Sequence, residues 1–276
     1  MAHKTTLTKK LLCIFAIVII STSVFSQKKA ENLIAFEPAD KSNISIFIVL
    51  KELPGQRFLF TVPEIFTGKN LEKGLFNGDL KPWTIKENQG HRAVKNSKYG
   101  YSVNLYLTER SNEYWLTWNI KFTNKSNITL LDLAAFNCLT MDRAPLFKDI
   151  SMERTWVKDE FDQTISLSSI EKTAGNGRRT MQFYPVIGGI KLAESPWIAN
   201  WNVNANTILS GKSVWLESID KSWKIETIVD GQPAFFFNNW EQDHGCIHSA
   251  PLIARELKPG QTMEATGSFR FIKIKN

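Results

Sequence analysis

The stretch Tyr114-Trp115-Leu116-Thr117-Trp118-Asn119-Ile120-Lys121-Phe122 decides the fold class, because every second residue in it is large and apolar. A period of two places these residues on one face of a strand, whereas a helix requires a period of 3.6. Asn124-Lys125-Ser126-Asn127 then supplies residues typical of a turn. Leu130 to Leu139 returns as a further apolar segment. The pattern predicts a strand, a turn and a second strand.

Similar short segments recur along the chain at roughly ten-residue spacing, and almost no helical periodicity accompanies them. They are Ile44 to Leu50, Tyr99 to Leu107, Ser213 to Leu216, Trp223 to Val229, Ala234 to Phe237 and Thr262 to Ile274. Asp230-Gly231 is typical of a hairpin connection. We therefore expect an all-β chain, with residues 27–276 forming one antiparallel β-sandwich domain.

Residues 1–26 have the pattern of a signal peptide. Three lysines, Lys4, Lys9 and Lys10, precede an apolar run from Leu11 to Ile20, and small residues follow up to Ser26. Ten apolar residues span about 15 Å of helix, which is half of the roughly 30 Å of a bilayer core. The sequence thus predicts a cleaved leader, a secreted or periplasmic protein, and no stable membrane insertion after cleavage.

Charge and cysteine content limit the function classes. Without the three lysines of the leader, 31 basic and 27 acidic side chains remain, and no basic run forms a continuous patch. Nucleic acid is therefore not an expected partner. Only Cys138 and Cys246 lie beyond the leader. One disulfide and two buried free thiols are both open for them.

Two passages together resemble the galactose mutarotase-like β-supersandwich. Trp118 to Ser126, followed by Leu130-Leu131-Asp132-Leu133, is similar to the central hairpin of that family. Gly245-Cys246-Ile247-His248, followed by Leu257-Lys258-Pro259-Gly260-Gln261, is similar to its C-terminal strand pair with a Leu-x-Pro-Gly turn. The resemblance covers mainly residues 99 to 140 and 234 to 272. It implies a supersandwich fold and a carbohydrate ligand.

The catalytic positions of that family are not matched. Where the family carries a general-acid histidine, this chain reads Phe136-Asn137-Cys138-Leu139. Where the family carries a general-base glutamate, this chain has His248. The resemblance therefore implies a ligand site in the segment around His248 without implying mutarotation.

The segment Asn238-Asn239-Trp240-Glu241-Gln242-Asp243-His244-Gly245-Cys246-Ile247-His248 concentrates groups that move protons and stack on ligands. Histidine titrates near neutral pH, so we expect His248 to act as base or acid, with Glu241 or Asp243 as its partner. The competing interpretation is structural: Asp243-His244-Gly245 as a turn, Cys246 as a buried apolar group and His248 as a core histidine.

The predicted ligand contacts are Trp240, Asn238, His244 and Arg154. Tryptophan faces stack on the apolar faces of sugar rings, and Trp197 and Trp201 in a polar loop share this property. Arg154 offers a fixed fork of donors to an acidic sugar, although the sequence favours a surface ion pair with Glu153 or Asp159.

Metal binding is not expected from this segment. His244, Cys246 and His248 alternate, as zinc or copper ligands on one face of a strand would. At about 3.3 Å per residue, however, the outer two lie about 13 Å apart. The sequence thus predicts no metal and no cofactor.

Three functions follow as hypotheses. The first is an exported carbohydrate-binding or carbohydrate-active protein with acid/base chemistry on a sugar. The alternative is a non-catalytic envelope protein whose residues 238–248 are buried in the core. The third is a metal-dependent enzyme. The sequence indicates no oligomeric state.

Overall fold

The structure is a computed structural model, and it describes residues 33–39, 45–71, 75–76, 82–175, 180–240 and 245–274. These residues belong to one compact unit, Asn32–Asn276. The predicted leader, residues 1–26, lies outside the described residues, so both export and the domain boundary stay predictions. In the described part of the chain, no helix has the length and apolar character needed to cross a membrane.

The described residues are almost entirely β-structure. In chain order the strands are β1 (Ile34–Pro38), β2 (Ser45–Leu50), β3 (Arg57–Thr67), β4 (Leu75–Phe76), β5 (Thr84–Lys86), β6 (Gln89–Lys95), β7 (Tyr99–Arg110), β8 (Glu113–Asn124), β9 (Leu130–Arg143), β10 (Thr155–Asp159), β11 (Thr164–Ser166), β12 (Met181–Tyr184), β13 (Asn202–Val203), β14 (Leu209–Glu217), β15 (Trp223–Val229), β16 (Phe236–Asn239), β17 (Cys246–Ser249), β18 (Leu252–Leu257) and β19 (Thr262–Lys273). Short 3-10 segments lie at Pro145–Phe147, Leu167–Ser169, Leu192–Glu194 and Ile198–Asn200.

These strands form three sheets. Sheet A has the order β1-β2-β3-β9-β17, with β4 beside β3 and β18 beside β9. Sheet B has the order β11-β10-β14-β15-β19-β8-β7-β6-β5, and the small sheet C has the order β13-β12-β16. The pairing is antiparallel except for the short contact of β12 with β13. The prediction of an all-β antiparallel sandwich is confirmed.

Sheet B shows why the opening stretch determines the fold. Along β8, every second side chain from Tyr114 to Phe122 is buried, and its alternates are exposed or half-buried. Twelve residue pairs join β7 to β8, and eleven join β8 to β19. The burial of one apolar face supplies the main stabilisation of such a sheet, because the hydrophobic gain scales with the area removed from water.

Aromatic rings from the two large sheets meet in the main core. Phe58 of β3 packs on Phe271 of β19 with ring centroids 4.9 Å apart, and Phe66 packs on Phe122 at 4.8 Å. Trp118 is fully buried between them in the same cluster. Sheets A and B therefore stack face to face, as the layers of a sandwich do.

Asn124 joins the two passages that carry the sequence resemblance. Its buried side-chain amide donates to the carbonyl oxygens of Ile128, at 2.8 Å, and Leu257, at 2.9 Å. Its side-chain oxygen accepts from the backbone and the hydroxyl of Ser126. Its backbone carbonyl accepts from Gly260. The predicted turns at 124–127 and 257–261 are thus one hydrogen-bonded corner.

One prediction about the connections is wrong. Asp230-Gly231 follows β15, but β15 pairs with β14 and β19, whereas the next strand, β16, belongs to sheet C. The dipeptide therefore connects two sheets and does not close a hairpin. A turn motif specifies a local reversal of the chain but not which strand becomes the neighbour.

Candidate functional site

A cavity with a volume of about 380 Å³ lies on the face of sheet A that points away from sheet B. Sheet A forms its floor, while sheet C and the loop around Ile198–Asn200 form its walls. Its apolar lining consists of Ile65, Phe136, Met181, Phe183, Trp197, Trp201 and Phe237. Its polar lining consists of Thr61, Glu64, Cys138, Thr140, Asn239, Cys246 and His248.

The floor is a consequence of strand register. In the pairing of β17 with β9, His248 lies opposite Cys138 and Cys246 lies opposite Thr140. Thr61 of β3 lies opposite Cys138 on its other side. Because side chains at alternate positions share a face, these residues form adjacent cross-strand pairs that point into the cavity.

A β-bulge in β3 brings a carboxylate to the cavity. Between two paired positions, β3 advances from Thr61 to Ile65 while β9 moves only from Cys138 to Phe136. The extra residues disturb the alternation, and such bulges redirect side chains. Glu64, within this bulge, is exposed and lines the cavity.

The imidazole of His248 is held in one orientation. Its Nδ1 lies 3.0 Å from the carbonyl oxygen of Phe237. Because a carbonyl only accepts, Nδ1 carries the proton and Nε2 keeps a lone pair in the neutral ring. The ring also stacks on Phe136 with centroids 4.7 Å apart. His248 is therefore buried with its ring held in a fixed orientation.

The two cysteines lie on the same floor and are not joined by a disulfide. The hydrogen bond with Cys246, together with burial, raises the pKa of the Cys138 thiol well above its ordinary value. The side-chain oxygen of Thr140 lies 3.3 Å from the Cys138 sulfur and 3.8 Å from the Cys246 sulfur. The amide of Asn239 donates to the Cys246 sulfur at 3.7 Å. The sulfur atoms thus have polar neighbours as well as apolar ones.

Two predicted ligand contacts, Asn238 and Trp240, are not part of the cavity lining. Asn239 and Phe237 line the cavity, whereas the alternate residue Asn238 does not. Asn238 is 2% exposed, and its side-chain atoms have no hydrogen-bond partner among the described residues. Trp240 is also buried and packs in the main core, with the Lys172 ammonium 4.7 Å from its ring. Their roles as ligand contacts stay predictions.

Arg154 lies apart from the cavity lining. Its guanidinium donates to the carbonyl oxygens of Leu146, Lys148 and Glu217, and it lies 3.8 Å from a carboxylate oxygen of Asp149. These contacts hold the 145–154 segment against β14. Of the pairings considered from sequence, neither Glu153 nor Asp159 is the acid that this guanidinium faces here.

Three residues of the candidate site lie outside the described residues. They are Glu241, Asp243 and His244, and their catalytic and ligand-binding roles stay predictions. The described parts of the same segment cross from sheet C to sheet A. Asn239 therefore stands on a wall of the cavity, and Cys246 and His248 stand on its floor.

Sequence reasoning did not find Glu64, Thr61 and Thr140. The motif Val62-Pro63-Glu64 was the available signal, because proline within a strand marks a bulge or an edge. Cys138 was identified only as a possible disulfide partner, and its register opposite His248 depends on which strands pair. Trp197 and Trp201 do line the cavity, in the polar loop where they were expected.

The structure comparison matches this chain to several solved structures at low sequence identity. One is a galactose mutarotase related enzyme from Lactobacillus acidophilus (12% identity, 89% of this chain and 96% of that chain, TM-score 0.45). Another is a candidate aldose 1-epimerase from Escherichia coli K12 (10% identity, 87% of this chain and 100% of that chain, TM-score 0.44). A third is a galactose mutarotase-like protein from Clostridium acetobutylicum (10% identity, 88% of this chain and 79% of that chain, TM-score 0.33).

No family model matches the sequence, and no curated protein matches it either. The names of these structures include the galactose mutarotase-like group that the sequence resembles. No activity of this chain follows from matches at these identities and TM-scores.

Proposed function

We propose that this chain is an exported protein that binds a carbohydrate in the cavity on sheet A. The observation that carries the proposal is the pairing of two half-buried tryptophans, Trp197 and Trp201, with Glu64 and His248 around one cavity. The volume of about 380 Å³ falls within the roughly 300–1,000 Å³ of small-molecule sites.

The lining has the two kinds of surface that a sugar requires. The rings of Trp197 and Trp201 lie 6.0 Å apart at 59°, and Phe183 meets Trp197 edge to face at 5.7 Å. Such rings pack against the C–H face of a pyranose, while its hydroxyl groups need donors and acceptors. Glu64 and Asn239 supply these groups on the same cavity.

Acid/base chemistry on the bound sugar is the finer form of this proposal. The lone pair of His248 Nε2 would accept a proton, and Glu64 is the described carboxylate on the same cavity. Glu241 and Asp243 remain alternatives for the partner. Hydrolysis or epimerisation of a bound sugar that is lost in His248→Gln would support this form.

The envelope-protein alternative is less consistent with the cavity. It expects residues 238–248 to be buried in the core, as Asn238 and Trp240 are. Asn239, Cys246 and His248, however, face a cavity. A protein used only for its loops has no need of these polar groups at the bottom of an aromatic pocket.

Screening the protein on a glycan array, together with a panel of polysaccharides, tests the proposal. We expect at least one glycan to bind, and calorimetry on that glycan should show Trp201→Ala weakening affinity by about tenfold, since aromatic contacts of this kind contribute about 1 kcal/mol or more. Glu64→Gln should weaken it as well.

Trp215→Ala is the matched control. Trp215 is half-buried on sheet B, where the Lys224 ammonium lies 5.9 Å from its ring, and it lies away from the cavity. Its replacement should leave glycan affinity unchanged. Absence of binding to every glycan, or equal losses in Trp201→Ala and Trp215→Ala, would contradict a sugar site in this cavity.

A further inference from the structure

Three ligand-type groups meet on the cavity floor. One ligating atom each from Cys138, Cys246 and His248 lies within 4.8 Å of the other two, and all three residues are buried. Two of the ligands come from β17 and one from β9, so register and not sequence spacing brings them together. Three ligands along one strand would span about 13 Å, which is too far for one ion. Cys138 instead lies on β9 directly opposite His248, so the three ligands do not have to span that distance.

The histidine is already arranged as a metal ligand. A metal-binding imidazole usually donates its other N–H to a carbonyl or carboxylate, which fixes the ring and the tautomer. His248 does this through Nδ1 to the carbonyl of Phe237, and the Phe136 ring packs along its face. The remaining nitrogen, Nε2, has the lone pair that a metal requires.

The two sulfur atoms have the surroundings of ligands as well. The side chains of Thr140 and Asn239 lie within hydrogen-bonding distance of sulfur, and hydrogen bonds to a coordinating sulfur stabilise its thiolate form. Two thiolates in a buried site carry a charge that is costly unless it is compensated. A divalent cation would make the set of two thiolates and one neutral imidazole electrically neutral.

We propose that Cys138, Cys246 and His248 form a binding site for a thiophilic metal ion, with Zn²⁺ as the ion that the charge balance favours. Thiolate and imidazole ligands suit Zn²⁺ and Cu⁺, whereas Mg²⁺ and Ca²⁺ prefer oxygen. In a tetrahedral zinc site the ligand atoms lie about 3.5–3.8 Å apart, so small side-chain rotations complete the geometry.

The fourth position of this site faces the cavity. Zinc sites with three protein ligands and an open position bind water or substrate there. Glu64 lines the same cavity, so the cavity contains a carboxylate in addition to the three candidate ligands. The inference goes beyond carbohydrate binding and does not depend on it, because metal content is measured without any sugar.

Metal binding and proton transfer are alternatives for His248. Both require the Nε2 lone pair, and a metal-bound nitrogen does not accept a proton. A metal-loaded protein would therefore bind sugar without using His248 as a base. Metal content thus decides between the two roles of this residue.

The test is metal stoichiometry of the protein expressed from the full chain and purified under reducing conditions. After removal of bound metal with a chelator, the protein is titrated with Zn²⁺ or Cu⁺ in competition with a chromophoric chelator. We expect about one ion per chain, and Cys138→Ser, Cys246→Ser and His248→Gln should each weaken binding by roughly a hundredfold or more. Co²⁺ should give thiolate-to-metal charge-transfer absorption that both serine variants reduce.

Thr61→Val and His91→Ala are the controls. Thr61 lines the same cavity without being a ligand, and His91 is an exposed histidine bonded to Asn104. Both variants should bind one ion with unchanged affinity, and circular dichroism should show that all variants are folded. Tighter binding of Cu⁺ than of Zn²⁺ would support the site but identify copper as its ion.

Two results would overturn the proposal. One is binding weaker than that of the competing chelator for both ions in the reduced, folded protein. The other is a Cys138–Cys246 disulfide, detected by mass spectrometry after alkylation of the exported protein, because a disulfide removes both thiolate ligands.

Discussion

Asn124 is a side chain that links β8, β9 and β18 at their common corner. Its amide satisfies the carbonyls of Ile128 and Leu257, and its oxygen accepts two hydrogen bonds from Ser126. Replacement by alanine removes all four of these hydrogen bonds, and the one to the Leu257 carbonyl is buried, where an unpaired group costs about 1–3 kcal/mol. We expect Asn124→Ala to lower the free energy of unfolding in urea by about 2–4 kcal/mol.

Asn127→Ala provides the comparison for this prediction. Asn127 lies in the same turn but is exposed, so its replacement should change the free energy of unfolding by less than about 0.5 kcal/mol. Equal losses in the two variants would show that the side-chain hydrogen bonds of Asn124 do not stabilise the corner.

At this scale the sequence predicts residue types better than residue roles. The turn at 124–127 and the tryptophans Trp197 and Trp201 were expected where they are found. Asn238 and Asn239, in contrast, are identical in type and adjacent, yet only Asn239 faces the cavity. Which of two neighbours points inward depends on the face that β16 presents, and a four-residue strand has too short a pattern to specify that.

Among the elements, β19 packs closely against β8 at Gly267. Gly267 lies opposite Trp118, and a methyl group added there would come within 2.3 Å of both the Trp118 ring and the carbonyl oxygen of Ile228. Overpacking of a core typically costs about 1–3 kcal/mol, and more where backbone has to move. We expect Gly267→Ala to lower the free energy of unfolding by about 3 kcal/mol.

Gly231→Ala is the control, because a methyl group there would meet nothing within 4 Å. Its effect on the free energy of unfolding should stay below about 0.5 kcal/mol. In a Trp118→Phe background the penalty of Gly267→Ala should decrease, since part of the clash is removed. An unchanged penalty in that background would mean that the Ile228 carbonyl alone is responsible.

Strand pairing also explains why the site was only partly predicted. The segment 238–251 was identified from its composition, and the described part of it does contribute a wall and the floor of the cavity. Cys138 and Glu64, which complete the floor, are distant in sequence. Their approach depends on the order β3-β9-β17 and on a bulge, and neither is encoded by a local period.

On the scale of the whole molecule, the described residues form two apolar clusters of unequal size. The main cluster joins sheets A and B, and the smaller one joins sheet A to sheet C and to the loop that carries Trp197 and Trp201. The strong period-two patterns all belong to long strands of the main sandwich. Sheet C was largely missed from sequence because its strands are short, at two to four residues.

Because the apolar cluster beneath sheet C is the smaller one, we expect sheet C to open before the sandwich unfolds. Only four residue pairs join β12 to β16 and two join β12 to β13, whereas twelve join β7 to β8. Elements with few pairings and a small apolar cluster open at lower free energy than the global transition. Native-state hydrogen exchange should give opening free energies for β12 and β16 that are lower than those of β8 by about 2 kcal/mol or more.

A variant separates this local opening from global unfolding. Trp197→Ala removes a ring that packs on Phe183, so it should accelerate exchange in β12 and β16 while leaving β8 unchanged. Trp215→Ala, on sheet B, should not accelerate exchange selectively in sheet C. If β12, β16 and β8 exchange with one free energy and one urea dependence, sheet C and the sandwich form a single cooperative unit. The walls of the cavity would then be as rigid as its floor, and a ligand would have to enter without opening of sheet C.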